Sequence, residues 1–217
     1  MNLQAVLFDL DGVIVDTARF HYQAWKRLAD TLEIPFTEKQ NERLKGVSRM
    51  ESLSILLSLS PKPLHYSPDE IEDLAAKKNS WYGDYINTLT EADILPGFRE
   101  FMAWCVKNSL KTAIVSASKN TGTIVDRLGI RSLFSTIVDG TRVRNAKPDT
   151  EVFLLAAEDL SVHPGHCLVV EDAGAGIRGA LAAGMLTLGV GDPAVLEGAA
   201  IVVPSLDRLD TRLLEAL

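Results

Sequence analysis

Two aspartates, Asp9 and Asp11, close the apolar run AVLF and stand one residue apart before Gly12. In an extended chain that spacing sends both carboxylates to the same side. Two such groups repel unless a cation or a proton separates them. An Asp-Gly turn with a helix cap is the plain structural alternative; directly after a buried strand, chemistry is the better reading. Glu171 and Asp172, in VVEDAGAGI, repeat the pattern at the end of a second apolar run, before a glycine-rich helix entry. Acids cap helices favourably on their own. Together with Asp9 and Asp11 they make a set of hard oxygen donors suited to Mg²⁺, which commonly joins carboxylates to a phosphate. Ser116, in AIVSASKN, leads through Ala117, Ser118, Lys119 and Asn120 into a helix. Hydroxyls and backbone N–H groups there can hold an anion, a role compatible with simple N-capping. Lys147, fixed by Pro148, can neutralise a phosphoryl group, although alone it would read as a solvated surface charge.

Such residues act together only if several strand ends converge. Short β-branched runs at 5–8, 111–116, 135–138, 167–170, 185–190 and 200–204 read as buried parallel strands. Helical patterns at 98–108, 120–129, 150–160 and 175–184 lie between them, with apolar residues three or four apart. Thr150 is expected to cap the third of these. The alternation predicts a doubly wound, Rossmann-like α/β fold around a parallel sheet. Residues 17–92 contain no convincing strand. FHYQAWKRLADTLEI, EKQNERLKG, RMESLSILLSL and PDEIEDLAAKKNSWYGDYINTL all read as helices, with Ser48 an N-cap three residues before Glu51. The expected domains are therefore an α/β core, 1–16 and 93–217, and an inserted helical cap, 17–92, over the carboxyl edge of the first strand. Ligands bind at that edge in open α/β sheets.

Composition narrows the function. The 217 residues, 47% hydrophobic and 24% charged, suit an ordinary globular protein. A net charge of −7 argues against a broad nucleic-acid face. Cys105 and Cys167 are far apart and form no disulfide framework, which favours a reducing cytoplasm. The N-terminus lacks a basic signal-peptide region, and no apolar run approaches the ~18 residues of a membrane span. No membrane and no nucleic-acid partner is expected.

The ordered motifs DLDG, VSASKN, Lys147-Pro148 and Glu171-Asp172 resemble those of the haloacid dehalogenase superfamily of phosphotransferases, and residues 17–92 look like its helical cap. FDLDGVIVDTARFHYQAW (8–25), LKGVSRMESL (44–53), LAAKKNSWY (74–82) and VSASKN (115–120) are further similar to the β-phosphoglucomutase family, weakening after about residue 191. The resemblance implies an isomerase-class intramolecular phosphotransferase that interconverts β-D-glucose 1-phosphate and glucose 6-phosphate through β-glucose 1,6-bisphosphate. Asp9 would be the nucleophile and become an aspartyl phosphate; Asp11 would be the general acid/base. Asp9, the Asp11 carbonyl, Glu171 and Asp172 would hold or surround Mg²⁺. Ser116, Ala117 and Lys147 would hold the transferring phosphoryl group. Arg49, Ser118, Lys119 and Asn120 would hold the other phosphate. Gly46, Val47, Ser52 and Lys78 would line the cap side, while Thr17 and His21 would sit near the hinge and help position Asp11. Ala173 stands where relatives often have serine, which would loosen support for Asp172. Small-molecule sugar phosphates are the expected partners, and a monomer the expected state. A sugar-phosphate phosphatase is the alternative, disfavoured because it needs no distal clamp such as Arg49. A non-enzymatic phospho-acceptor module would lack both Asp11 and the large cap.

Overall fold

The structure is a computed structural model, and residues 3–44 and 48–215 of it are described. In chain order, β1 (Ala5–Phe8) is followed by α1 (Ala18–Thr31), α2 (Glu38–Asn41), α3 (Arg49–Ser58) and α4 (Pro68–Ile86). Then come α5 (Phe98–Lys107), β2 (Lys111–Val115), α6 (Thr121–Arg127), β3 (Thr136–Val138) and α7 (Glu151–Leu160). The chain ends with β4 (Cys167–Glu171), α8 (Gly174–Ala182), β5 (Leu186–Val190), β6 (Ile201–Val203) and α9 (Arg212–Glu215). It divides into two compact units, Met1–Asp16 with Leu89–Leu217, and Thr17–Thr88. The return to the first unit thus comes before residue 93. Leu89 is already buried there, and Glu91 pairs with Arg99 of α5 at 2.8 Å.

Among the described residues, six strands form one parallel sheet in the order β3-β2-β1-β4-β5-β6. The chain builds outward from β1 to β3, then crosses back and continues from β4. The switch therefore falls between β1 and β4, where a crevice opens at the carboxyl ends of the strands. β1 is wholly apolar and wholly buried, as a strand flanked on both edges and covered on both faces must be. Its alternation sets two cores. Ala5 and Leu7 pack with Val152, Phe153, Ala156 and Leu160 of α7. Phe8 points the other way, its ring 5.7, 5.6 and 6.0 Å from those of Phe98, Phe101 and Phe134 in edge-on arrangements. α5 meets that cluster with Phe98, Phe101, Met102 and Cys105, one helical face.

The second unit has its own core of Trp25, Leu28, Ala29, Ile34, Phe36, Leu44, Leu53, Leu56 and Ala75. α4 starts with Pro68 behind a capping box between Ser67 and Glu70, which satisfies N–H groups the helix itself cannot. Ser48 Oγ accepts the Glu51 N–H at 3.2 Å and caps α3. EKQNERLKG is not one helix: α2 is a single turn that tightens into a 3₁₀ turn at Glu42–Leu44. Its lone large apolar residue, Leu44, gives it no stripe to bury, and short helices without one are marginal. Thr150 also departs from expectation. Its side chain makes no cap bond; Asp149 Oδ1 accepts the Glu151 N–H at 2.9 Å instead. No helix among the described residues is long and apolar enough to cross a membrane.

Phe8 has no exposure and lies at the centre of the aromatic cluster. Phe8→Ala is expected to lower the unfolding free energy by about 3–5 kcal/mol, read from urea denaturation.

Candidate active site

Strand pairing brings the acidic residues together. Phe8 pairs with Val170, so Asp9 leaves β1 beside Glu171, the last residue of β4. The Asp9 N–H donates to the Val170 carbonyl at 2.9 Å, extending the ladder by one bond. Ligand oxygens of Asp9, Glu171 and Asp172 all lie within 4.8 Å of one another. Lys147, on the loop between β3 and α7, reaches into this group. Its Nζ donates to Asp9 Oδ1 at 2.5 Å, Glu171 Oε1 at 2.6 Å and the Val115 carbonyl at 3.0 Å. Three acceptors match the three ammonium hydrogens.

The charges do not balance. Three carboxylates face one ammonium. Burial, chiefly, raises the Asp9 carboxyl well above the usual carboxylate range; Lys147 opposes this, while Glu171 and Asp172 add to it. Burial and the charges of Glu171 and Asp11 push Asp172 up to about 7. Burial works against the Lys147 ammonium, but Asp9 and Glu171 outweigh it and hold its pKa above the normal lysine range. Excess negative charge among hard oxygen donors is what a small divalent cation needs, so the residues fit Mg²⁺.

Two glycines make the convergence possible. Gly12 has φ +81°, and a Cβ there would lie 2.0 Å from Asp172 Oδ2. A Cβ on Gly176 of α8 would lie 1.7 Å from Glu171 Oε1 and 2.0 Å from Cδ. The Glu171 carboxylate can therefore lie flat against α8. Its Oε2 accepts N–H bonds from Asp172 at 2.8 Å and Ala173 at 3.1 Å. Asp11 bridges to Val15 within the turn after β1, and the Gly12 N–H donates to the Val15 carbonyl at 2.8 Å.

Ser116 follows β2, the other neighbour of β1. It is buried, and its Oγ accepts the Ser118 N–H at 3.1 Å while keeping its own hydrogen as a donor. Ser118 Oγ accepts the Asn120 N–H at 3.2 Å. These serial turns shape the loop carrying Ala117, Lys119 and Asn120; Ala117 and Lys119 are exposed.

The remaining expected residues lie in the second unit. Lys78 is 2% exposed, and its Nζ lies 3.0 Å from His21 Nδ1. Burial, reinforced by the charge of Arg49, lowers Lys78 to about 7. Burial and the charges of Lys78 and Arg49 lower His21 to about 3, which keeps the imidazole neutral beside the Lys78 nitrogen. Burial also lowers Arg49. Ser52 is buried and donates to the Leu44 carbonyl at 3.5 Å, so here it braces the chain entering the 45–47 segment. Gly46 and Val47 lie outside the described residues.

The structure adds participants that sequence reading missed: the Val115 carbonyl, Gly176, Trp25 and Tyr82. Trp25 and Tyr82 lie four residues after His21 and Lys78, a helical spacing that could have revealed them.

Acids on β1 and β4, a serine loop after β2 and a lysine from the β3–α7 loop define a phosphotransfer-type α/β site. The haloacid dehalogenase-like hydrolase model matches residues 3–184, and the chain belongs to that family. Within it, the chain is 42% identical to a β-phosphoglucomutase of Bacillus subtilis, over 98% of this chain and 94% of that protein. A crystal structure of a β-phosphoglucomutase from Clostridium difficile matches with TM-score 0.91 and 40% identity, covering 99% of this chain and 96% of that one. A phosphorylated carbohydrates phosphatase of Thermotoga maritima is 31% identical over 84% of this chain and 82% of its own length.

Gly176→Ala is expected to displace the Glu171 carboxylate and weaken Mg²⁺ binding about tenfold, measured by isothermal titration calorimetry. Lys78 gives a second test. Its native pKa of about 7 lies below its unfolded value, so between them the unfolded chain binds the extra proton. The stability of wild type relative to Lys78→Met should therefore rise as pH is raised from about 7 to about 10, in urea titrations.

Proposed function

We propose that the protein is a Mg²⁺-dependent β-phosphoglucomutase, interconverting β-D-glucose 1-phosphate and D-glucose 6-phosphate through β-D-glucose 1,6-bisphosphate. The observation that carries this reading is a second cluster of basic side chains, apart from Lys147. The first unit offers Ser116 and Lys147 beside the Asp9 carboxylate. The second offers Arg49, Lys78 and His21, with Lys78 buried and its ammonium on a neutral imidazole. A mutase handles a sugar with two phosphates. Hydrolysis of a monophosphate needs one such group.

In this reading Asp9 attacks phosphorus, and the bond to the sugar oxygen breaks as the Asp9–phosphorus bond forms. Asp11 gives its proton to the departing oxygen. In the other half, Asp11 removes the proton of the 6-hydroxyl of β-glucose 1-phosphate, which attacks the aspartyl phosphate, forms the bisphosphate and releases Asp9. Lys147 and the Ser116 hydroxyl hold the phosphoryl oxygens, with the Ala117 backbone. Asp9, Glu171, Asp172 and the Asp11 carbonyl would hold Mg²⁺, which when bound offsets negative charge on the phosphoryl group. Arg49, with Ser118, Lys119 and Asn120, binds the non-reacting phosphate, for which a guanidinium fork is suited. Gly46, Val47, Ser52 and Lys78 shape the sugar side, and Thr17 and His21 help position Asp11.

A sugar-phosphate phosphatase is the second reading, favoured by the Thermotoga maritima relative. Water would then take the place of the sugar hydroxyl on the aspartyl phosphate. An anomer-resolved assay separates the two. Purified protein with Mg²⁺ and a trace of bisphosphate should convert β-glucose 1-phosphate to glucose 6-phosphate; free phosphate as the main product would refute the mutase reading. Asp11→Ala should lower kcat about 10²–10⁴-fold, the usual contribution of a positioned acid/base.

A further inference from the structure

Tyr82 of α4 has no role in the sequence reading, yet it touches three residues that do. Its hydroxyl donates to Thr17 Oγ1 at 3.1 Å. Its ring lies 4.1 Å from the His21 imidazole, centroid to centroid, tilted by 32°. Its face lies 4.8 Å from Lys78 Nζ, and the Trp25 ring lies 4.6 Å from the same nitrogen. Tyr82 and Thr17 have no exposure.

A buried ammonium ordinarily takes a carboxylate partner. Lys78 instead sits on aromatic faces and a neutral imidazole. The difference matters chemically. A carboxylate would cancel the positive charge, whereas an aromatic face stabilises it and leaves it able to meet an incoming anion. The same tyrosine ends at Thr17, the residue with which the chain enters its second unit.

We propose that Tyr82 is a positioning residue with two separable functions. Its ring holds Lys78 and His21 in place on the sugar side, and its hydroxyl anchors Thr17. The functional half rests on the reading of Lys78 and Thr17 as parts of a sugar-phosphate site.

Two variants of the full chain separate the functions. Tyr82→Phe keeps the ring and removes the hydroxyl. It should leave the His21 ring ¹⁵N shifts and the Lys78 titration unchanged, keep KM for β-glucose 1-phosphate, and lower kcat about fivefold to tenfold, the effect of one buried hydrogen bond. Tyr82→Met fills much of the space without an aromatic face. It should shift the His21 resonances, move the Lys78 titration to lower pH, and raise KM about tenfold. The proposal is overturned if folded Tyr82→Met matches wild type in spectra and KM, or if Tyr82→Phe reproduces the Tyr82→Met pattern. Should Tyr82→Met not fold, Tyr82→Phe decides: a kcat loss at constant KM supports the anchor, and wild-type kinetics refute it. The spectra are recorded without substrate and the kinetics follow sugar-phosphate turnover. A phosphatase outcome would therefore sink the mutase reading and leave the positioning role of Tyr82 to be decided by the spectra.

Discussion

Three carboxylates around one ammonium organise the first unit. Buried charges are costly unless paired and hydrogen-bonded. Among the described residues, Asp9, Glu171 and Asp172 receive only Lys147 as a cationic partner, through Asp9 and Glu171. Neighbouring features can be understood as consequences. β1 and β4 must be adjacent for Asp9 to stand beside Glu171. Gly176 must lack a Cβ for Glu171 to lie on α8. The backbone N–H groups of Asp172 and Ala173 bind the carboxylate oxygen that Lys147 leaves over. The imbalance that remains is one that a divalent cation would offset.

The second unit has the opposite problem. Lys78 and Arg49 place positive charge where burial lowers the pKa of both, with His21 neutral beside them. Aromatic faces and a neutral imidazole surround the Lys78 nitrogen instead. Each unit thus holds unspent charge of one sign. A net charge of −7 for the whole chain hides both.

Much of this was legible in the sequence for a physical reason. Buried parallel strands are short apolar runs, and the acids that end them are conspicuous against that background. So AVLF-DLDG and CLVV-ED identified both strand ends, and the strand segments all recur in the sheet. Less visible were contacts made by groups with no distinctive side chain. Gly176 matters through the atom it lacks, and the Val115 carbonyl is a group every residue carries. Trp25 and Tyr82 look like ordinary core residues, since apolar packing and cation binding use the same rings. EKQNERLKG misled because charged residues with good helix propensity cannot hold a helix that buries almost nothing.

The sheet register has a consequence for how the protein fails. β1 is paired with β2 on one side and β4 on the other, over only four residues. Side chains alternate along a strand, so a slip of one residue would turn Asp9 to the opposite face and put Phe8 where a carboxylate belongs. Molecules with that error would be silent, not slow.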